Sequence, residues 1–214
     1  MIAIVDYGMG NIRSVEKGFI KIGADVRITS DPRVVADAKG IVLPGVGAFK
    51  DCMKNLDNLD LLGAIVKEIE KGKPYLGICL GLQILFAESE EFGFCKGMGV
   101  FKGKVVKFRF DENRKAAGGQ QLKIPHMGWN NARLLRKPPV FDGIPDNAYF
   151  YFVHSYYVVP EEESIVAART AYGTDFVSMV WKDNVLATQF HPEKSQGLGL
   201  KVLRGFSDFV AGDH

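Results

Sequence analysis

Three short stretches carry residue types that can do covalent chemistry together. Gly77-Ile78-Cys79-Leu80-Gly81 reads G-x-C-x-G between a predicted strand and a predicted helix. It is the cysteine counterpart of the G-x-S-x-G nucleophile elbow. Such a corner needs glycine twice, because the backbone turns sharply and the helix must pass close to the strand it has just left. A thiol at the head of a helix also meets the positive end of the peptide dipoles, which favours the thiolate. His191-Pro192-Glu193 follows the apolar run 185–190. Pro192 biases His191 toward extended backbone, and residues two apart in an extended segment point to the same side. The spacing therefore puts the Glu193 carboxylate beside the His191 imidazole, to accept Nδ1–H and leave Nε2 for a thiol. Acyl transfer also needs N–H donors for a developing oxyanion. Leu80, just after the cysteine, supplies one. Pro44-Gly45-Val46-Gly47 supplies the other, since Gly45, Val46 and Gly47 let backbone N–H groups approach a substrate.

The other candidates are weaker. Cys52 and Cys95 lack a comparable corner and read as packing residues. His126, in Pro125-His126-Met127-Gly128-Trp129-Asn130, and His154, in Phe152-Val153-His154-Ser155-Tyr156, have polar and aromatic neighbours that can line a pocket. Neither has a carboxylate two residues away, so both read as structural histidines. His214 is terminal. Asp6-Tyr7-Gly8-Met9-Gly10-Asn11 lacks the full dinucleotide fingerprint, which argues against NAD. The chain's 3 cysteines are odd in number and widely spaced, so neither a metal set nor a disulfide framework is expected. No cofactor is expected, and a reducing cytosol is the default location.

The elements that must hold these groups alternate. Apolar runs at 2–5, 25–28, 40–43 and 74–78 read as strands. Helical patterns lie at 12–22, 59–70 and 80–87, and the alternation predicts a doubly wound, mostly parallel α/β sheet. Its ligand rim lies outside the carboxyl ends of the strands, where the corners at 6–11, 44–47 and 79–81 fall. After about residue 95 the pattern turns antiparallel: β-type alternation at 99–110, an aromatic and β-branched stretch at 148–159, a hairpin pairing 176–180 with 185–190, and a closing helix at 199–210. The polar stretch 111–121 reads as a mobile hairpin tip or loop. With 214 residues, 47% hydrophobic and 24% charged, one domain over 1–214 is expected. A net charge of +2 gives no support to a nucleic-acid or anionic-membrane surface. No apolar run approaches the roughly 20 residues that span a bilayer.

The cysteine elbow, Pro-Gly-Val-Gly and His-Pro-Glu in one chain resemble the class I (triad) glutamine amidotransferases. Asp6 to Asn11, Pro125 to Asn130, Val153-His154-Ser155-Tyr156 and the run Gln189 to Gln196 extend the likeness over nearly the whole chain. They point to the branch of the family that serves histidine biosynthesis. The resemblance implies Cys79 as nucleophile, His191 as base, Glu193 as its orienter, and Gln83 with the Ser155-Tyr156 backbone as holders of glutamine. It further implies a heterodimer with a (βα)8-barrel cyclase that receives the ammonia. The interface would include Asn11 and Lys194, and the Gly45–Val46 peptide would be a switched element. Stretch 111–121 is longer than the family usually has. Alternatives are a subunit serving anthranilate or aminodeoxychorismate synthesis, a standalone γ-glutamyl hydrolase, and a regulatory subunit with an inert triad.

Overall fold

The computed structural model describes residues 1–110 and 121–212. The loop expected at 111–121 therefore lies, apart from Gln121, outside the described residues. The first half alternates as expected: β1 (Ile2–Val5), α1 (Ile12–Lys21), β2 (Val26–Thr29), α2 (Pro32–Asp37), β3 (Gly40–Gly45), α3 (Phe49–Asn58), α4 (Leu61–Glu70) and β4 (Tyr75–Cys79). Cys52 lies within α3 and is fully buried. A one-turn helix α5 (Leu80–Gln83) follows, then β5 (Phe86–Ser89), β6 (Cys95–Lys96), β7 (Phe101–Lys107) and β8 (His126–Leu134). β9 (Ala148–His154), β10 (Tyr156–Pro160), β11 (Val166–Ala171), β12 (Asp175–Lys182), β13 (Val185–Thr188) and α6 (Gln196–Ala211) complete the chain.

The main sheet runs in the order β2-β1-β3-β4-β13-β12-β10-β7-β5-β6. Its first five strands are parallel. From β12 onward the pairing is antiparallel except between β5 and β7. β11 joins β12 to β8, and β8 pairs with β9, which builds the antiparallel addition. The result is a mixed α/β sheet, parallel from β2 to β13 and mainly antiparallel beyond, because the addition after residue 95 contributes most of the antiparallel ladders.

Strands covered on both faces are apolar throughout, and β1, β3 and β4 are buried at every position. Alternate residues serve opposite layers. Ile2 and Ile4 pack with Ile12, Val15 and Phe19 of α1 and with Val202, Leu203 and Phe206 of α6. Ala3 and Val5 face Val35, Phe49, Leu56 and Ile65 of α2 to α4.

One helix expectation needs correction. Residues 80–87 do not form a helix beyond Gln83. The carbonyls that a continuing helix would keep for itself go elsewhere. Met98 N–H donates to Ile84 O at 2.8 Å, Gly97 N–H to Ala87 O at 2.9 Å and Phe101 N–H to Leu85 O at 3.0 Å. The aromatic and β-branched stretch 148–159 forms two strands, broken at Ser155.

Candidate active site

β4 runs directly into α5, and the residue at the corner is Cys79, at φ +56° and ψ −104°. A non-glycine residue rarely adopts that conformation, and such strain collects at functional positions. The flanking glycines are required by contact. A Cβ on Gly81 would lie 1.9 Å from Leu43 O, and one on Gly77 would lie 2.5 Å from Gly81 O. The buried Tyr75 hydroxyl donates to Gly81 O at 2.9 Å and pins the turn. A single helical turn has little dipole to offer, so the thiol's polar surroundings come from side chains instead.

Those side chains arrive on the neighbouring strands. β3 pairs with β4 so that Gly45 stands opposite Cys79, which brings the Val46-Gly47 turn to the same end of the sheet. On the other side Thr188 of β13 pairs with Ile78. Three residues beyond Thr188 the chain reaches His191, which is strapped to β9: its N–H donates to Tyr151 O at 2.9 Å. The buried Ser195 hydroxyl donates to His191 O at 2.7 Å and accepts from Tyr151 N–H at 3.0 Å.

His191 Nδ1 lies 2.8 Å from Glu193 Oε1, with the two side chains 2% and 1% exposed. A carboxylate can only accept, so Nδ1 carries the hydrogen. The pairing is as expected but its local cause differs. His191 is extended, yet Pro192–Lys194 form a 3-10 turn, and it is this turn that folds the carboxylate back onto the ring. Burial opposes a charged imidazole, but the Cys79 thiolate and the Glu193 carboxylate outweigh it and hold His191 above its ordinary pKa. Nε2 is buried and has no hydrogen-bond partner among the described residues. Gln189 Nε2 lies 3.5 Å from the Cys79 sulfur.

Cys79 opens into a cavity of about 300 Å³. Val46, Gly47, Leu80, Gln83, Ser155 and Tyr156 line it, and Gly45 does not. His154 lines it too, but as a structural group. Its Nε2 meets His126 Nδ1 at 3.0 Å and its Nδ1 meets Tyr156 O at 2.8 Å. Burial holds both rings below the ordinary imidazole pKa, at about 3 for His154 and about 4 for His126. Sequence reasoning missed Glu91, the one carboxylate among the described residues on the cavity wall. Its Oε2 accepts Phe49 N–H at 2.6 Å, and burial raises its carboxyl above the usual range. One acid of the run Glu88-Ser89-Glu90-Glu91 gives no signal of this. Gln189 was also missed as a partner of the sulfur. Asn11 is exposed at the start of α1 and accepts from Ser14 Oγ at 2.8 Å. Lys194 is half-buried, its Nζ 5.7 Å from the Tyr151 ring centroid. Neither lines the cavity. A cleft of about 630 Å³ beside Lys137, Lys201 and Arg204 holds none of the expected site residues.

The sequence model of the family described as glutamine amidotransferase class-I matches residues 3–207. This chain belongs to the class-I glutamine amidotransferases. The imidazole glycerol phosphate synthase subunit HisH of Syntrophotalea carbinolica is 55% identical over 208 residues, 97% of this chain and 100% of that one. The HisH subunit of Geobacter sulfurreducens is 52% identical over 97% and 98% of the two chains. Among solved structures, one described as a glutamine amidotransferase superposes with a TM-score of 0.74 at 18% identity, over 99% of this chain and 100% of that one. The PurLQS structure from Thermotoga maritima gives 0.70 at 19% identity, over 97% of each chain. These distant structures share the fold. As a class-I glutamine amidotransferase the chain is an enzyme, and its chemistry is the release of nitrogen from the side-chain amide of glutamine.

Proposed function

We propose that the chain is the glutaminase subunit of imidazole glycerol phosphate synthase, acting as one domain over residues 1–214. The observation that carries this is 55% identity, over 97% of this chain and 100% of that one, to a HisH subunit of that synthase. The Cys79 thiolate attacks the carboxamide carbon of glutamine. Leu80 N–H and a backbone N–H of the 45–47 turn receive the oxyanion. His191 gives its proton to the departing nitrogen, the C–N bond breaks and ammonia leaves a thioester on Cys79. Water then passes a proton to His191 and adds to the thioester. The C–S bond breaks and glutamate is released.

The cavity fits this substrate. Both Gln83 N–H groups are committed, to Tyr156 O at 3.0 Å and Gln189 Oε1 at 3.2 Å, which leaves Gln83 Oε1 to accept from the substrate amide. Glu91 complements the α-ammonium group. Ser155 and Tyr156 line the same cavity, and their main-chain N–H groups are the proposed donors to the α-carboxylate.

The ammonia passes to a (βα)8-barrel cyclase subunit, which makes imidazole glycerol phosphate and aminoimidazole carboxamide ribotide. Bulk water at neutral pH would protonate it to ammonium, a poor nucleophile, so direct transfer matters. An apolar patch supports a docked partner. Met127 and Trp129 of β8 and Tyr149 of β9 are 61%, 46% and 60% exposed. The register Trp129↔Tyr151 and Asn131↔Tyr149 puts them on one face, and Lys194 packs over Tyr151 at its border. Asn11 is proposed at the same interface. Three free cysteines support a cytosolic location, and among the described residues no helix is long and apolar enough to cross a membrane.

The test is synthesis by a candidate cyclase subunit with glutamine or with ammonium as nitrogen source. The expected result is that glutamine serves only when this chain is present, while ammonium serves without it. Glutamine-dependent synthesis with a chorismate-using partner instead would overturn the assignment.

The role of Glu193 has its own test. Its carboxylate favours the protonated His191 ring, so Glu193→Gln keeps a hydrogen-bond acceptor and removes the charge. The imidazolium then loses its proton at lower pH. The alkaline limb of kcat/KM should move down by about one pH unit, with kcat reduced roughly tenfold or more. An alkaline limb that stays in place, read from a pH profile of glutamate release, would contradict this role.

A further inference from the structure

The buried polar atoms behind Cys79 form a chain whose orientation is fixed by one backbone carbonyl. Tyr156 O can only accept, so the Gln83 amide atom 3.0 Å from it is Nε2. That nitrogen also meets the Gln189 amide at 3.2 Å, and the atom it meets is therefore Oε1. Gln189 must then turn Nε2 toward the Cys79 sulfur, 3.5 Å away. Tyr156 O is held from its other side by His154 Nδ1, which must donate at 2.8 Å. It follows that His126 Nδ1 donates to His154 Nε2. Gln189 is fully buried, Gln83 is 5% exposed, and Gln189 N–H donates to Ser178 O at 2.9 Å, so the amide is fixed in both position and direction.

We propose that Gln189 is a catalytic residue that donates a hydrogen bond to the anionic sulfur of Cys79, with Gln83 the positioning residue that keeps this donor aimed. The proposal rests on Cys79 being the nucleophile, as argued above. The two protonation states of the sulfur have different partners. A neutral thiol can donate toward Val153 O, 3.8 Å away. That carbonyl offers nothing to an anion, whereas the Gln189 amide does. The ionisable groups acting on this site are His191, with Glu193 behind it, and Tyr7, while His154 acts on His191. Gln189 carries no charge at any pH, so its contribution moves the titration of the sulfur without adding one of its own.

The test follows the pH dependence of Cys79 alkylation by iodoacetamide, read at the Cys79 peptide by mass spectrometry because Cys52 and Cys95 are also free. Wild type is compared with Gln189→Leu, Gln189→Glu and Gln83→Leu, alongside glutaminase kinetics with the cyclase subunit bound. In Gln189→Leu the midpoint should rise by about one pH unit, leaving about tenfold less thiolate below it. The kcat should fall about tenfold in step, with KM within about twofold. Gln189→Glu, nearly isosteric, sets an acceptor oxygen against the sulfur and should raise the midpoint further. Gln83→Leu should move it the same way by less and raise KM as well. A midpoint that stays put in a folded Gln189 variant overturns the proposal, whatever happens to kcat. If circular dichroism shows that the leucine variant does not fold, the glutamate variant decides. If neither folds, Gln83→Leu decides. A wild type that neither labels at Cys79 nor hydrolyses glutamine would refute the nucleophile assignment itself. A working wild type with unmoved variants refutes only the role of Gln189.

Discussion

Replacing Cys79 with Ala stops glutamine hydrolysis, by at least about three orders of magnitude, and leaves ammonium-dependent synthesis by the complex intact. No other thiol can substitute. Cys52 is fully buried in α3, and burial pushes its thiol up to about 12. Cys95 sits in the two-residue strand β6 and does not line the cavity. The variant should fold normally, because Ala and Cys pay a similar cost for φ +56° and the change removes one sulfur atom from a cavity wall. The two nitrogen sources separate the outcomes. Loss of both activities would mean that the complex had been damaged. Retained glutamine hydrolysis would remove Cys79 from the chemistry.

Gly81→Ala should cost the protein both stability and turnover. Its Cβ would stand 1.9 Å from Leu43 O, a backbone atom in the centre of the sheet, so no rotamer change relieves the clash. Either β3 or the elbow must shift. Overpacking of this kind costs about 3 kcal/mol, which lowers Tm by roughly 6–12 °C for a chain of this size. A displacement of about 1 Å at the elbow would also carry the sulfur away from His191 and reduce kcat roughly a hundredfold. Thermal melting and glutamate release at a temperature where the variant is folded check both parts. A variant that melts like wild type would show that the close approach of α5 to β3 is not obligatory. Gly63 is the control: a Cβ added there would meet nothing within 4 Å, so alanine should be tolerated.

Why some of this was legible in the sequence and some was not has physical causes. The elbow announced itself because its mark is local. Gly77 is forced by the Gly81 backbone four residues on and Gly81 by Leu43 O across the sheet, but both glycines stand two residues from Cys79, and that spacing is legible. The His191–Glu193 pair is equally local, and its proximity was right although the turn that creates it was not. The parallel half was readable because buried strands and amphipathic helices differ in period. Residues 80–87 were misread because 84–87 are apolar and their backbone partners, at 97–101, lie beyond an intervening hairpin. Glu91 and Gln189 were invisible for a stronger reason. Glu91 bonds to Phe49, 42 residues away, and Gln189 to Gln83 and Cys79, 106 and 110 residues away. Neither relation leaves a pattern in a single sequence.

That β4 and β13 are adjacent in the sheet has a consequence for how such a catalyst can change over time. The sulfur leaves the end of one strand and the imidazole leaves the end of the next, so the gap between them is set by the spacing of a single hydrogen-bonded ladder. Between residues 84 and 184, the segments other than those around Glu91 and 151–156, which hold His191 and line the cavity, can lengthen, shrink or be exchanged without altering that gap. The reactive pair behaves as a fixed cartridge, and the antiparallel addition is the adaptor by which the same cartridge can be fitted to different nitrogen-consuming machines.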